Sequence, residues 1–245
     1  MNTSLYVGLS RQETLQRALD IAANNIANAD TAGFKVEQPL VRTEPTALPG
    51  TGLDSRPIAF VLDQGVGRDF REGALENTGG AYDVAIGGDG FFQVQAGAGL
   101  RYTRDGRFTV DAQNRLVTKA GDPVLGDNGR PIVLDPNRPA PAIAKDGTIS
   151  QAGVNLGRIG VFRFADLSTL QKAGANLYSV PDDSQAIAAP DATTLQGVVE
   201  KSNVQPVLEI TNLIEITRAY ERVARMMDQT SDLASRAVNS LGRVN

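Results

Sequence analysis

The sequence predicts an α+β protein in which long, coiled-coil-like N- and C-terminal helices pair and a central all-β module lies between them. Apolar residues recur at helical spacing before Asn28, and a heptad pattern runs without interruption after Asn203. Between these segments, short apolar runs alternate with turn residues. We predict a terminal helical domain formed by residues 1–35 with 203–245, an extended linker at 36–68, and a β-rich outer domain at 69–202.

The first helix is predicted from one apolar face. Steps of three and four residues place on that face Leu5, Leu9, Gln12, Leu15, Leu19, Ala22 and Ile26. Two starts are open, because a residue at positions 2–4 could cap the helix, or Ser10 with Glu13 could form a capping box after Gly8. A helix of about 26 residues would be about 39 Å long.

The segment after this helix is predicted to be a turn. The helix should end near Asn28, because asparagine side chains bond to their own backbone and favour turns. Gly33 can adopt the left-handed conformation at little cost. Phe34 follows it, and we expect its ring to dock against an apolar surface where the chain changes direction.

The middle of the chain is predicted to be extended and then β-rich. Seven prolines and glycines between residues 39 and 65 disfavour a helix, which leaves a linker with one strand at Ile58–Leu62. Farther on, the apolar runs predict strands at Asp83–Ile86, Phe91–Gln95, Arg101–Thr103, Phe108–Val110, Leu116–Thr118, Ile132–Leu134, Ile159–Phe164 and Leu177–Val180. Four dipeptides are typical of hairpin turns: Asp89-Gly90, Asp105-Gly106, Asn128-Gly129 and Asp146-Gly147.

The last helix is the longest predicted element. Asn203 suits its N-cap, Pro206 its first turn and Gly242 the position after its end. It would span about 38 residues, or about 57 Å. Two seams of alternating steps of three and four, which start at Ile210 and at Ile216 and share four residues, place along its apolar face Ile210, Leu213, Ile216, Tyr220, Val223, Met227, Ala234 and Leu241. The first helix is too short to cover this face, so we favour packing between molecules over a helical hairpin within one chain.

Composition excludes several classes of chemistry. The chain has no Cys and no His, so Cys/His zinc sites, Cys nucleophiles and Ser-His triads are impossible. Its formal net charge of −4 argues against nucleic acid as a partner. The Asp-Gly dipeptides lack the ligand alternation of calcium loops, and Gly87-Gly88-Asp89-Gly90 lacks the Lys of a phosphate loop. We therefore predict no catalytic residue, no metal and no cofactor.

The sequence also bears on location. No apolar stretch approaches the roughly 18 residues of a membrane span, so we expect no membrane insertion. Polar residues at positions 10–13 and Gln16 interrupt the N-terminal apolar residues, so we expect no cleaved secretory signal.

Several motifs resemble one known family. Residues 23–28 read Ala-Asn-Asn-Ile-Ala-Asn, and Thr31, Gly33, Phe34 and Lys35 follow at matching positions. Farther on come Asp83-Val84-Ala85-Ile86, Gly88-Asp89-Gly90-Phe91-Phe92, Tyr102-Thr103-Arg104-Asp105-Gly106, and then Gly197, Glu200, Ser202, Asn203 and Val204. In this order they resemble the signatures of bacterial flagellar rod and hook proteins. Within the family, the opening residues 5–12 look most like those of proximal-rod subunits, and distal-rod subunits are the nearest alternative.

The resemblance implies a structural role. Such subunits are exported unprocessed by the flagellar type III apparatus and assemble in the periplasm with copies of themselves and with other rod subunits. Their terminal helices pack between subunits, so the predicted assembly interface is Leu5, Leu9, Leu15, Leu19, Ile26, Asn28, Gly33, Phe34, Ile210, Leu213, Ile216, Tyr220, Val223, Met227, Ala234 and Leu241. An alternative of another class is an extracellular carbohydrate-active or carbohydrate-binding β-domain on a coiled-coil stalk.

Overall fold

The chain forms two compact units. The computed structural model describes residues 2–46, 58–97, 99–181 and 186–241. The helix–hairpin unit comprises Met1–Ala27, Glu37–Asp69 and Gln205–Asn245, and the β-rich unit comprises Asn28–Val36 and Phe70–Val204. The predicted domain boundaries at residues 35/36, 68/69 and 202/203 stay predictions.

The two terminal helices form close to where the sequence predicts them. Helix α1 spans Asn2–Ala27, so the earlier of the two predicted starts is the one observed and Gly8 lies inside the helix. Helix α2 spans Pro206–Leu241, and Pro206 occupies its first position, where a missing N–H costs little. The predicted N-cap Asn203 is wrong, because its side chain instead accepts a hydrogen bond from Val36 N at 2.8 Å. Gly242 lies outside the described residues.

A β-hairpin replaces the predicted linker with its one strand. Strand β1 (Glu37–Thr46) pairs antiparallel with β2 (Ile58–Arg68), with a register shift between Leu40 and Val41. The predicted strand at Ile58–Leu62 is confirmed as part of β2, whereas β1, which contains Pro39 and Pro45, was not predicted. In the described part of the chain, β1 pairs on one side only, and such edge strands tolerate proline.

The prediction of long, paired coiled-coil helices is wrong, although the α+β class fits in part. Among the described residues there are two α-helices, and most of the chain is β-rich. Helix α1 contacts α2 but also both strands of the hairpin. No side chain described on α2 is fully buried, whereas a coiled coil needs a continuous buried seam. The apolar spacing located the faces of the helices correctly but carried no information on what covers them. Neither helix, within the residues described, is long and apolar enough to cross a membrane.

The β-rich unit is built from short strands. They are β3 (Leu75–Asn77), β4 (Val84–Gly87), β5 (Phe91–Ala96), β6 (Gly99–Thr103), β7 (Thr109–Val110), β8 (Leu116–Val117), β9 (Ala142–Ile143), β10 (Thr148–Gln151), β11 (Val154–Arg158), β12 (Val161–Phe164), β13 (Gln171–Lys172), β14 (Leu177–Ser179), β15 (Ala186–Ala188), β16 (Thr193–Gln196) and β17 (Val198–Glu200). A short 3₁₀ helix spans Leu167–Thr169. The predicted Ile132–Leu134 strand is reduced to a single bridge between Arg115 and Val133.

One large sheet organises this unit. Within the described residues it has six strands in the order β13-β14-β6-β5-β12-β15, all antiparallel. One apolar cluster includes Val84, Phe92 and Ile149, and a second, aromatic cluster includes Phe91, Tyr102 and Tyr178. Adjacent residues of β5 point to opposite faces, so Phe91 and Phe92 enter different clusters. The sheet therefore has apolar packing on both faces.

The Asp-Gly dipeptides serve two different purposes. Asp146-Gly147 joins β9 to β10, which pair antiparallel, so this predicted hairpin is confirmed. Asp105-Gly106 joins β6 to β7, which do not pair with each other, so that hairpin prediction is wrong. Gly106 is required there by close approach, because a Cβ atom would lie 1.6 Å from Val84 O.

The Asp146 turn makes stability depend on pH. Asp146 Oδ1 accepts a hydrogen bond from Thr148 N at 3.0 Å, and this bond is the main reason that the carboxyl pKa lies below its ordinary value of 3.8. A depressed pKa stabilises the fold above pH 3.8, and this contribution is lost as the pH falls through the folded-state value. We expect Asp146→Asn to be less stable than wild type at pH 7 and equally stable at pH 2. Urea unfolding at both pH values checks this, and a difference that persists at pH 2 would contradict it.

Candidate functional site

Helix α1 buries a mixed apolar and polar face. Of its residues predicted to contribute to assembly, Leu15 is 5 % exposed, Leu19 and Ile26 are half-buried, and Leu9 remains 45 % exposed. The side chain of Leu5 lies outside what the structure describes. Leu15 is thus covered by its own chain, whereas Leu9 is open to a partner.

Two contacts fix α1 against α2. Gly8 is buried, and a Cβ atom there would lie 2.9 Å from Met227 Cγ, so the glycine allows the two helices to approach closely. Gln12 Nε2 donates a hydrogen bond to the Tyr220 hydroxyl at 2.8 Å. Tyr220 and Met227, both in the predicted interface, therefore have partners within the chain.

The remaining interface residues predicted on α2 differ in exposure. Leu213, Ile216 and Val223 are half-buried, and Ile216 lines a groove together with Ala18 and Ile21 of α1. Ile210 is 47 % exposed. The side chains of Ala234 and Leu241 lie outside the described set. Their part in assembly, like that of the whole predicted interface, stays a prediction.

The exposed apolar side chains on α2 extend beyond the predicted heptad pattern, which included Ile210 but not Val207 or Ile214. Val207, Ile210 and Ile214 are 76, 47 and 45 % exposed and follow steps of three and four, so they share one side of the helix. We call them the 207–214 strip. Met226 and Leu233, seven residues apart and 52 and 65 % exposed, form the 226–233 strip. The steps of three and four in the 207–214 strip can be read from the sequence. The exposure of these side chains cannot, because it depends on the whole fold.

The hydrogen bonds of the Asn25 side chain were not predicted from the sequence. It is 1 % exposed, and its Nδ2 donates to Glu37 O at 2.8 Å while Glu37 N donates back to its Oδ1 at 2.9 Å. The same Nδ2 lies 3.1 Å from Glu209 Oε2. One buried amide thereby joins α1, the start of β1 and α2, which accounts physically for an asparagine within a helix.

The turn after α1 packs inside the β-rich unit. Asn28 O accepts a hydrogen bond from Thr31 N, and Gly33 has φ +67°, as predicted for a left-handed residue. Phe34 is 3 % exposed and packs with Val36 and Val204. The predicted docking of its ring is confirmed. Asn28, Gly33 and Phe34 thus have partners in their own chain, and a further role in assembly stays a prediction.

Across the described ranges, no three Asp or Glu side chains cluster in a way that could hold a metal ion.

Comparison with known families matches three parts of the chain. Residues 5–35 match the model described as flagella basal body rod protein, residues 85–151 the flagellar hook protein FlgE/F/G D1 domain, and residues 195–241 the flagellar basal body rod FlgEFG protein C-terminal region. A flagellar basal-body rod protein FlgF of Caulobacter vibrioides is 55 % identical over 100 % of both chains. The chain belongs to the flagellar basal-body rod protein family.

Other relatives refine the position of this rod subunit within its family. It is 37 % identical to a FlgF of Mesorhizobium japonicum over 99 % of both chains. It is 30 % identical to a flagellar basal-body rod protein FlgG of Bacillus subtilis over 98 % of this chain and 99 % of that one. The rod subunit is most like FlgF, which confirms the predicted resemblance to the proximal-rod subunit. It is a structural protein of the basal body and not an enzyme, so the carbohydrate-active alternative is wrong.

Proposed function

We propose that this rod subunit assembles through the exposed apolar surface of α2 with copies of itself and with other rod subunits. The observation that carries the proposal is the pair of strips defined above. Fully burying one large apolar side chain contributes roughly 1.5–3 kcal/mol, so half-exposed side chains on two strips leave several kcal/mol available to a partner. Exposed apolar side chains grouped on one side of a helix in this way are typical of interaction sites.

The placement of the strips favours two neighbours over one. With 3.6 residues per turn, the 207–214 and 226–233 strips lie roughly 120° apart around α2. They also lie at different heights, because Val207 and Leu233 are separated by about 39 Å along the helix axis. A single helix packed on α2 would cover one strip and leave the other in water. Two different contacts on one subunit are what a head-to-tail helical assembly requires.

Location and export complete the proposal. The subunit acts in the periplasmic part of the basal body, as a section of the proximal rod that transmits rotation, and it reaches that place through the flagellar type III export apparatus. The similarity to FlgF supports the first part. The match of residues 5–35 to the flagella basal body rod protein model supports the second. Nucleic acid plays no part, in keeping with a net charge of −4.

Gene deletion tests this function directly. In the source bacterium, a strain without this chain should stop basal-body assembly at the motor ring, before the distal rod, and should not swim. The wild-type gene supplied on a plasmid should restore both. Electron microscopy of purified basal bodies gives the readout. Complete rods in the deletion strain would contradict the proposal.

A further inference from the structure

Three charged side chains are buried together in the β-rich unit. Lys35, Arg104 and Glu200 are 1, 3 and 1 % exposed. Lys35 Nζ lies 2.5 Å from Glu200 Oε1, and Arg104 Nη1 lies 3.1 Å from Glu200 Oε2. We call these residues the Glu200 cluster. Each carboxylate oxygen therefore has its own cationic partner.

The cluster also binds backbone groups from several segments. Gly73 N donates to Glu200 Oε1 at 3.0 Å, and Lys35 Nζ donates to Arg71 O at 2.7 Å. Gly33 N donates to the backbone oxygen of Glu200 at 2.8 Å. These bonds hold the segments 33–35 and 71–73 around the side chain and the backbone oxygen of Glu200.

Burial makes these charges costly unless they are paired. Burial lowers the pKa of the Lys35 ammonium, Glu200 raises it in opposition, and Arg104 adds to the lowering, so that the pKa ends below its ordinary value. Replacing such clusters with apolar side chains is often neutral or stabilising, whereas removing one partner strands a buried charge. Stability alone thus gives a weak reason for three buried charges. A gain in geometric specificity is the better physical account of them.

The position of the Glu200 cluster indicates which segments of the chain it holds in place. The chain passes between the two units at four points, and three of them lie after Val36, before Phe70 and after Val204. Asn203 joins these same segments, because its Oδ1 accepts from Val36 N at 2.8 Å and its Nδ2 donates to Arg71 O at 3.1 Å. Three of the four connections are thus anchored side by side within the β-rich unit.

We propose that the Glu200 cluster is a mechanical clamp that holds these three connections together while the rod turns under load. The inference rests on the proposed function, since a rod subunit that transmits rotation carries force through its covalent connections. Force applied to one of them is shared with the other two only if their anchoring points cannot separate. Hydrogen bonds and ion pairs depend on distance and angle, so they oppose such separation at defined atoms, whereas apolar burial is non-directional.

Hydrogen exchange on the purified full chain tests the clamp without requiring a rod. In Glu200→Gln, exchange at residues 33–36, 71–73 and 200–204 should accelerate at least roughly tenfold, while amides of the core strand β5 keep their protection. The matched control is Glu76→Gln, which breaks the neighbouring pair Lys201–Glu76 at 3.1 Å, whose side chains are 46 and 55 % exposed. This control should leave exchange at those residues unchanged.

Two results would overturn the clamp: unchanged exchange at these residues in Glu200→Gln, or acceleration spread evenly over β5 as well. If Glu200→Gln does not fold, Asn203→Ala is tested instead, because it removes two further hydrogen bonds between the segments that the cluster joins, to Val36 N and Arg71 O, without leaving a charge unpaired. It should accelerate exchange at Val36 while leaving β5 as in wild type. Wild-type exchange at Val36 would then contradict the proposal.

Motility under load provides the second measurement. Cells carrying Asn203→Ala in place of the wild-type chain should swim normally in dilute buffer and slow more steeply than wild type as viscosity rises. Equal speeds at every viscosity would contradict the clamp and leave the rod function intact. If the wild-type gene itself fails to restore basal bodies in the deletion strain, the rod function is what fails.

Discussion

Replacing Gly33 with alanine is expected to lower the free energy of unfolding by at least about 3 kcal/mol. Gly33 has φ +67°, and a Cβ atom would lie 2.4 Å from Arg104 C and 2.5 Å from Asp105 N. These are backbone atoms, so no rotamer change relieves the clash. Urea unfolding of the full chain measures the effect.

The control for this change is Gly79→Ala. Gly79 has a nearly identical φ of +66°, and a Cβ atom there would meet nothing within 4 Å. The control should cost about 1 kcal/mol, which is the price of the left-handed conformation alone. The difference between the two variants isolates the contact between the Gly33 turn and the Arg104 backbone. Equal losses in both would show that this contact is not tight in solution.

Introducing a carboxylate into either strip of α2 is expected to abolish swimming without unfolding the chain. Ile214 and Met226 are 45 and 52 % exposed, so Ile214→Asp and Met226→Asp should each lower the free energy of unfolding by only about 1–2 kcal/mol and leave the chain folded. In an assembled rod the same carboxylate would be buried without a partner, which costs several kcal/mol per subunit. Swimming assays and counts of complete basal bodies give the readout.

The matched control is Ser235→Asp, which places the same carboxylate at an exposed site two residues after Leu233 and therefore on the opposite side of α2 from the 226–233 strip. It should support normal swimming. Tyr220 and Met227 are poorer targets than the strips, because Tyr220 bonds to Gln12 and Met227 contacts Gly8 within the chain. Substitution there would disturb the pairing of α1 with α2 before it affected any contact between subunits. Normal basal bodies in both strip variants would contradict the assembly proposal.

Local features were the most predictable part of the fold. The end of α1 near Asn28, the left-handed Gly33, the buried Phe34 and the start of α2 near Pro206 all follow from short-range rules on capping, turns and proline. These rules involve neighbours in sequence, so a single sequence carries them. The strands β5, β6 and β14 were found for the same reason, since each is an apolar run between turn residues.

Long-range pairing was less predictable. Strand β1 was missed because Pro39 and Pro45 disfavour a strand in general, and only its position at a sheet edge makes them acceptable. Strands β16 and β17 were missed because each is defined by pairing with a strand, β4 or β3, that lies more than a hundred positions away in the sequence. Asn203 was wrongly predicted to cap α2, because nothing in the local sequence indicates that its side chain bonds to Val36 N.

The candidate site was also predictable only in its local features. Helical spacing found the residues of α2 that face α1, but exposure decides which residues are free for a neighbour, and exposure depends on the whole fold. Ile214 and Met226 became candidates only once Tyr220 and Met227 were seen to be occupied. The Glu200 cluster joins residues 35, 104 and 200, which no spacing rule connects.

The central claim is that both strips of α2 are covered by other subunits in the rod. The chain has no cysteine, so a single Ile214→Cys or Met226→Cys provides a unique thiol. Maleimide labelling should be fast at both thiols in the free chain and at least roughly tenfold slower in purified basal bodies. Lys119→Cys, at an exposed position of the β-rich unit, serves as the control for access to assembled particles. Equal labelling rates for the strip cysteines in the free chain and in basal bodies would contradict the claim.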